Sequence, residues 1–440
     1  MRRAIRTVAR RDFAKSMLDI KFIRENKDLI IAGAQKKHIK FDPSELIKVD
    51  DKRKDLLTSI EAKRAEQNEV SIRVVQLKEQ AQKNELISQM KILKESLQAE
   101  EEKLKEVMKE WQTHMLAVPN IPDVSVPDGD TDESNKEVKV WGEIPEMDFT
   151  PKDHVELMEK LDLADFEMGT KVAGFRGYYL KNEGAELEFA IWQLAIDLFR
   201  QKHPEYSLMV VPSLVKREAL LGTGYLPQAE DEIYRTQDAD YLAGTAEVAT
   251  MSYFGDKVLK KEELPKKVLA FSPCFRREAG SYSKDTKGIM RVHEFYKFEQ
   301  VVLCEANHET SVKHHEELLM NAEEILQAMG IPYHVVVNCG GDLGLGQVKK
   351  YDIEVWIPSQ QKYRESHSCS YFHDFQTRRL NIRYKDADGK MKFAHSLNNT
   401  AIATPRIIIA ILENYQQADG SIKIPEGLRK YMGNKEYIGK

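Results

Sequence analysis

The sequence predicts a two-part molecule of the α+β class: a long antiparallel helical hairpin, then a larger domain with a central antiparallel sheet flanked by helices. Three observations predict it. From Ser44 to Val118 there is neither glycine nor proline, the two residues that most strongly punctuate a helix. Between Pro119 and Pro151 the chain carries Pro122, Pro127 and Pro145 and the acidic turn Asp128-Gly129-Asp130, the composition of a linker. Beyond Pro151, helical stretches (Pro151 to Leu161, Glu186 to Gln201) alternate with β-rich runs at Ser207 to Val211, Lys267 to Phe275, Ile289 to Leu303, Tyr333 to Asn338, Asp352 to Ile357 and Gln376 to Tyr384. Turn-rich loops join several of them where a doubly wound sheet would need regular helices, which favours an antiparallel sheet.

The hairpin is read from its period. In the second half, apolar residues recur at Leu86, Met90, Leu93, Leu97, Leu104, Val107 and Trp111, with Glu100 and His114 as polar interruptions. Those steps follow the heptad alternation of four and three. The first half is looser: Leu46, Val49, Leu56, Ile60, Val70, Val74 and Leu77. One continuous helix would reach about 110 Å at 1.5 Å per residue. A hairpin of roughly half that length, turning in the polar run Lys78 to Glu85, buries both seams. Heptads alone most often mean dimerisation or scaffolding.

Bulk properties narrow the classes. A chain of 440 residues accommodates two or three domains. The net charge of −5 excludes a wholly basic nucleic-acid binder, although a local stripe can still carry phosphate contacts. The longest apolar runs, such as Ala401 to Leu412, fall short of the roughly 20 residues that cross a bilayer, so no membrane span is expected. Cys274, Cys304, Cys339 and Cys369 form no CxxC pair and the histidines no ligand cluster, so reduced thiols and no zinc site are expected. The pair His314-His315 is expected on a solvated helix surface.

Residues 1–16 hold six Lys/Arg against the single acid Asp12. They are predicted to be a disordered extension, with a mitochondrial targeting peptide as the alternative. The expected domains are therefore 1–16, the hairpin at 17–120, a linker at 121–150 and the larger domain at 151–440.

The stretch most informative about chemistry runs from Phe271-Ser-Pro-Cys-Phe-Arg-Arg-Glu278 through a basic loop to Ile289-Met-Arg-Val-His-Glu-Phe-Tyr-Lys-Phe-Glu299. As a β-hairpin it places Arg276 and Glu278 on one face of the entering strand. Arg291, His293, Phe295, Lys297 and Glu299 share a face of the returning one. Such a surface suits a nucleotide: arginine clamps phosphate, Glu278 accepts from an adenine amino group and Phe295 stacks on the base.

FRREAG followed by RVHEF resembles motif 2 of class II aminoacyl-tRNA synthetases. His395-Ser-Leu-Asn-Asn-Thr-Ala-Ile-Ala-Thr-Pro-Arg406 resembles motif 3, and Glu186-Leu-Glu-Phe-Ala through Val211-Pro212 resembles motif 1. Within that class, Gly244-Thr245-Ala246-Glu247, the run Glu365-Ser-His-Ser-Cys-Ser to Arg379, and the opening Met17-Leu-Asp-Ile-Lys-Phe-Ile-Arg-Glu-Asn26 are similar to seryl-tRNA synthetases of bacterial and organellar type. The similarity runs from about Met17 to Met432.

The resemblance implies a class II catalytic domain that activates L-serine with ATP and transfers it to tRNA(Ser), and to tRNA(Sec) as well. It implies that Arg276 meets the α-phosphate and Arg406 the γ-phosphate, and that Glu365 and Ser368 hold Mg2+. Thr245, Ala246, Glu247, Glu299, Asn398 and Thr400 would bind serine. Arg276, Arg277, Glu278, Phe295, Glu365, Ser366, His367, Ser368 and Arg406 would bind ATP. A homodimer through motif 1, tRNA gripped by the N-terminal hairpin, and a cytoplasmic location are further implications. The hairpin from Lys48 to Lys109 is almost charge-balanced, so RNA binding there would work through shape and local phosphate contacts.

Two departures from the family pattern stand in motif 3: Asn399-Thr400-Ala401 replaces a glycine-serine-glycine run, and Pro405 replaces a glycine. Thr404 is expected to cap the helix and Pro405 to open it, with Arg406 in the first turn where phosphate is favoured. His367 and Tyr371 replace serine and asparagine near Glu365. Competing readings are a threonyl- or prolyl-tRNA synthetase, a paralogue that charges a carrier protein, and a non-catalytic RNA-binding or scaffold paralogue. Against the first, only 34 residues follow Arg406, too few for a C-terminal anticodon-binding domain. Against the last stand the intact Arg276, Glu278, Glu365 and Arg406.

Overall fold

A computed structural model describes residues 18–439 apart from Tyr282. The basic extension expected over 1–16 lies outside the described residues. The chain forms two compact units, one made chiefly of residues 39–119 with 16–35, the other chiefly of residues 120–440.

In the first unit, helix α1 (Pro43–Gln76) starts behind Asp42, whose carboxylate accepts from the Ser44 N–H, and has Pro43 in its opening turn. Helix α2 (Gln80–Leu116) returns along it. The reversal takes only residues 77–79, so the polar run expected to turn is mostly helical. Gln, Ala, Lys and Glu are good helix formers, and polarity without glycine or proline does not stop a helix. Ile60, Leu97, Trp111 and Met115 are buried along the seam. The interruption at Glu100 is matched across the seam by Ser59 Oγ and Lys63 Nζ, each at 2.8 Å. Toward the turn Ile72, Val75, Ile87 and Ile92 stand exposed.

The second unit is built on an eight-stranded sheet. The elements that position its cleft are strand β1 (Lys136–Trp141), helix α3 (His154–Lys160), helix α4 (Asn182–Lys202), strand β2 (Ser207–Val210), helix α5 (Ala246–Tyr253), strands β3 (Lys266–Phe275) and β4 (Glu294–Cys304), helix α6 (His308–Ala328), strands β5 (Tyr333–Val337), β6 (Lys349–Ile357) and β7 (Lys362–His373), helix α7 (Phe375–Arg379), strand β8 (His395–Ala403) and helix α8 (Thr404–Asn414). The strand order is β1-β5-β6-β7-β8-β4-β3-β2. Every pairing is antiparallel except β2 with β3. Strand β1 comes from the segment expected as a linker. Helices α4, α6 and α8 pack on the sheet around one large apolar cluster.

Four local expectations are corrected. The returning strand begins at Glu294, not Ile289, because Gly288 turns the chain with φ +72°, and consecutive Ile289 and Met290 are both buried where a strand would alternate. Glu278 likewise leaves its strand, which ends at Phe275, through a φ of +53°. The run Gln376 to Tyr384 is the short helix α7 and a strand Arg383–Lys385. His314 and His315 are buried, not solvated: His315 stacks on Tyr351 at 4.8 Å, with Nε2 at 2.9 Å from the Cys369 carbonyl. All four cysteines are free and buried.

Candidate active site

The cleft is made by the two-residue period of three neighbouring strands. Phe295, Lys297 and Glu299 of β4, Ser366, Ser368 and Ser370 of β7, and Asn398 and Thr400 of β8 line it. The alternate residues turn toward the helices: Gln300 and Asn399 both donate to the Leu318 carbonyl of α6. A register shift between β6 and β7 pairs Ile353 with His367 but Glu354 with Glu365, leaving Ser366 unpaired. This bulge lets adjacent Glu365 and Ser366 both reach the cleft.

It also turns His367 away. His367 is buried on the other face, its Nδ1 at 2.7 Å from Ser366 Oγ and its Nε2 at 3.2 Å from the Ala401 carbonyl. Burial pushes its imidazole down to about 4. Its side chain therefore does not line the cleft, unlike those of the neighbouring Glu365, Ser366 and Ser368. Arg277 is exposed beside the cleft, with its backbone N–H on the Glu232 carbonyl. Ala246 is buried in a separate apolar cluster at the start of α5. The other predicted residues, Arg276, Glu278, Thr245, Glu247, Glu299, Phe295, Glu365, Ser366, Ser368, Asn398, Thr400 and Arg406, line one cleft.

One part of the cleft is built for an anion. Arg406 Nη1 donates to the Glu365 carbonyl at 2.5 Å and lies 3.5 Å from its carboxylate, while Nε donates to the Met290 carbonyl at 3.3 Å. Thr404 does not cap α8 as expected. Ala403 is the cap residue, and Thr404 Oγ1 bonds Glu188 Oε1 at 2.5 Å. Arg291 and Arg364 share Asp285, and Arg291 Nη1 also holds Glu278 at 3.1 Å. Glu278 is thereby committed to an ion pair as well as facing the cleft. Arg276 places its guanidinium carbon 5.3 Å over the Phe295 ring. Glu365 is 49% exposed to the cleft. Burial within the site opposes its charge, but Arg406, then Lys350, Arg276 and Arg291, hold its carboxyl below the usual range.

The other part is built for a cation with a neighbouring hydroxyl. Glu299 contacts Lys297 Nζ and accepts from Thr245 Oγ1 at 3.3 Å. Antiparallel pairing places it opposite Thr400. Glu247 accepts from Tyr225 OH at 2.8 Å and Gln376 Nε2 at 2.5 Å. Burial, then the Glu299 charge, push its carboxyl up to about 7 against those two hydrogen bonds.

Tyr225, Arg364 and Gln376 were not singled out from sequence, and Lys297 was placed on the shared strand face without a binding role of its own. The strand period between Phe295 and Glu299 is what places Lys297 in the cleft. Tyr225 and Gln376 carry no local signal, because their reach to Glu247 depends on how distant segments pack. Among the described residues no group of three or more His, Cys, Asp or Glu could hold a metal by itself.

An antiparallel sheet whose cleft joins clustered arginines to paired carboxylates has the character of the core of a class II tRNA synthetase. In agreement, residues 231–415 match the family model of the tRNA synthetase class II core domain (G, H, P, S and T), and residues 17–122 match the seryl-tRNA synthetase N-terminal domain. The serine–tRNA ligase of Deinococcus radiodurans is 44% identical over 424 residues, covering 96% of this chain and 99% of that one. That of Trichlorobacter lovleyi is 42% identical over 426 residues, 96% and 100%. The crystal structure of seryl-tRNA synthetase from Pyrococcus horikoshii complexed with ATP superimposes with a TM-score of 0.86 at 37% identity, covering 96% and 99%. The chain belongs to the seryl-tRNA synthetase family. A prolyl-tRNA synthetase from Giardia lamblia, 16% identical with a TM-score of 0.53, shares the fold over 62% of this chain.

Proposed function

We propose that this chain ligates serine to tRNA in two steps within the cleft. In the first, a serine carboxylate oxygen attacks the α-phosphorus of ATP, a new O–P bond forms and pyrophosphate leaves, giving seryl-adenylate. In the second, a hydroxyl of the 3′-terminal adenosine of tRNA(Ser) attacks the activated carbonyl and AMP leaves. The observation that carries the reading is that Arg276, Arg406 and Glu365 line the same cleft as Glu247, Glu299 and Thr400, so a triphosphate and an amino acid meet in one enclosure.

Arg276 is the guanidinium for the α-phosphate and Arg406 for the γ-phosphate, opposing charge where it develops. Phe295 offers a ring face for the adenine. The carboxylates of Glu247 and Glu299 attract the serine ammonium group, and Thr400 meets the serine hydroxyl. A pocket that pairs this hydroxyl rejects alanine, because a buried polar group left unpaired costs about 1–3 kcal/mol. The first step needs no general base, since the attacking carboxylate is already ionised; in the second, the adenosine hydroxyl loses its proton as it attacks, and the departing AMP phosphate can accept it.

The donor set fits Mg2+. Glu365, held ionised, and Ser368 supply two oxygens, and a hard ion bound by so few protein groups completes its shell with phosphates and water. When bound, it would offset triphosphate charge. Partner recognition is proposed on two surfaces. The α1–α2 hairpin would hold tRNA, supported by the match of residues 17–122 to the family's N-terminal domain. A homodimer would form across motif 1, supported by exposed Phe189 on α4 and by Leu208 and Val210 on the edge strand β2. The cytoplasm is the proposed location, supported by the bacterial relatives. Among the described residues no helix is long and apolar enough to cross a membrane.

ATP–pyrophosphate exchange across the amino acids, repeated as tRNA charging, tests the assignment. Exchange with serine is expected. Exchange with threonine and not serine would overturn the pocket, and no exchange at all would favour the scaffold paralogue.

A further inference from the structure

We infer that His154 is a positioning residue that locks the base of the nucleotide-binding loop to the helix carrying Arg406. The inference rests on the reading of the cleft as an ATP site. His154 opens α3 and is 5% exposed. Its Nδ1 lies 3.3 Å from Glu413 Oε1, which also accepts the His154 backbone N–H at 3.0 Å. The Ile289 backbone N–H can only donate and points at Nε2, so Nδ1 carries the ring proton and donates to Glu413. Nε2 is then left with a lone pair, and it accepts the Ile289 N–H at 3.3 Å. Each ring nitrogen thus has a separate task, set by the tautomer that Glu413 selects.

Both partners lead to Arg406. Glu413 stands in the last turn of α8, the helix whose first turn carries Arg406, and its second oxygen is fixed by the Ser359 N–H at 3.0 Å. Ile289 precedes Met290, whose carbonyl accepts from Arg406 Nε. The circuit from Arg406 through Met290, Ile289, His154 and Glu413 closes on itself through α8.

The loop is shaped to admit the ring. Gly288 has φ +72°, and a Cβ there would lie 2.0 Å from His154 Nε2, so a side chain at this position would be strained and would also displace the imidazole. Ile289 and Met290 line the cleft whereas His154 does not. His154 therefore acts through them. Loss of the acceptor leaves the buried Ile289 N–H unpaired, and the loop base relieves this by moving, taking the Met290 carbonyl and Arg406 with it. Glu247, Glu299 and Thr400 are held by other elements, so serine binding is spared.

The test is ATP–pyrophosphate exchange by the full chain with His154→Asn and His154→Gln. Asparagine places its amide near Nδ1, keeping the donor to Glu413 but losing the acceptor for Ile289. Glutamine reaches the Nε2 position and restores that acceptor. The expected result is a KM for ATP raised about tenfold in His154→Asn, a KM for serine within about twofold of the parent, and a near-parental KM for ATP in His154→Gln. Equal KM values for ATP in the two variants would overturn the inference, as would ATP and serine KM values rising in step. If His154→Asn fails to fold, Gly288→Ala displaces the ring from the loop side and is expected to give the same ATP-selective rise. Its absence overturns the inference. Lack of serine-dependent exchange in the parent chain would instead overturn the reading of the cleft.

Discussion

At the scale of single residues, Glu247 gives the site a pH dependence whose sign is fixed by its surroundings. Its carboxyl, pushed up to about 7, is protonated in the ligand-free pocket below that pH and cannot then attract an ammonium group. The KM for serine is expected to fall as pH rises from 6 to 8, measured by exchange, and Glu247→Gln should flatten that dependence. Linkage acts in the opposite direction on stability. A carboxyl raised above its unfolded value contributes stability at low pH that is lost as pH rises through about 7. The difference in Tm between the parent and Glu247→Gln should shift across that window in the ligand-free protein. At Thr400, removing the hydroxyl with Thr400→Ala is expected to raise the KM for serine about 10- to 100-fold and to narrow discrimination against alanine, read by exchange with both amino acids. At Arg406, Arg406→Ala should lower kcat/KM for ATP by about 10²- to 10³-fold, the scale of a lost charge-stabilising donor.

At the scale of elements, sheet register does what the separate residues cannot. Strands β4, β7 and β8 present their polar alternates to one cleft because their pleats are in phase. The bulge at Ser366 shifts that phase, bringing Glu365 in and leaving His367 out. The period-two face of β4 was legible in the sequence from Phe295, Lys297 and Glu299. The bulge was not, since nothing in Glu365-Ser-His-Ser marks where the partner strand slips. The hairpin shows the reverse. Its heptad seam is plain in the sequence, whereas the turn takes only the start of the polar run Lys78 to Glu85, because polarity without glycine or proline does not stop a helix. Shortening the hairpin by removing residues 64–93 and joining the helices with a short glycine turn is expected to leave serine-dependent exchange within about twofold, since no cleft residue lies there, and to abolish tRNA charging. Unchanged charging would remove the hairpin from RNA recognition. The twofold margin reflects that none of the removed residues lines the cleft.

At the scale of the whole molecule, the open edge of the sheet raises the question of assembly. Val210 is 80% and Phe189 62% exposed, on the outermost strand of the sheet, which has a partner on one side only, and on helix α4. Exposed apolar edges of this kind are normally covered. Sedimentation is expected to give a dimer, and Val210→Asp a monomer or a markedly weaker dimer. A parent chain that sediments as a monomer would discard the motif 1 interface.

The sequence by itself determined the two-part organisation, the seam of the hairpin, and most of the charged groups that meet in the cleft. These are written in local periodicity and in residue types whose chemistry is their own. Only the tertiary structure decided that Glu365 faces the cleft and His367 does not, that Tyr225 and Gln376 converge on Glu247, and that His154 joins the loop to the arginine helix. Each of these depends on a strand slip or on contacts between separate segments, from 22 residues apart for Tyr225 and Glu247 to 259 for His154 and Glu413. Packing sets such contacts, and no local pattern in the chain encodes them.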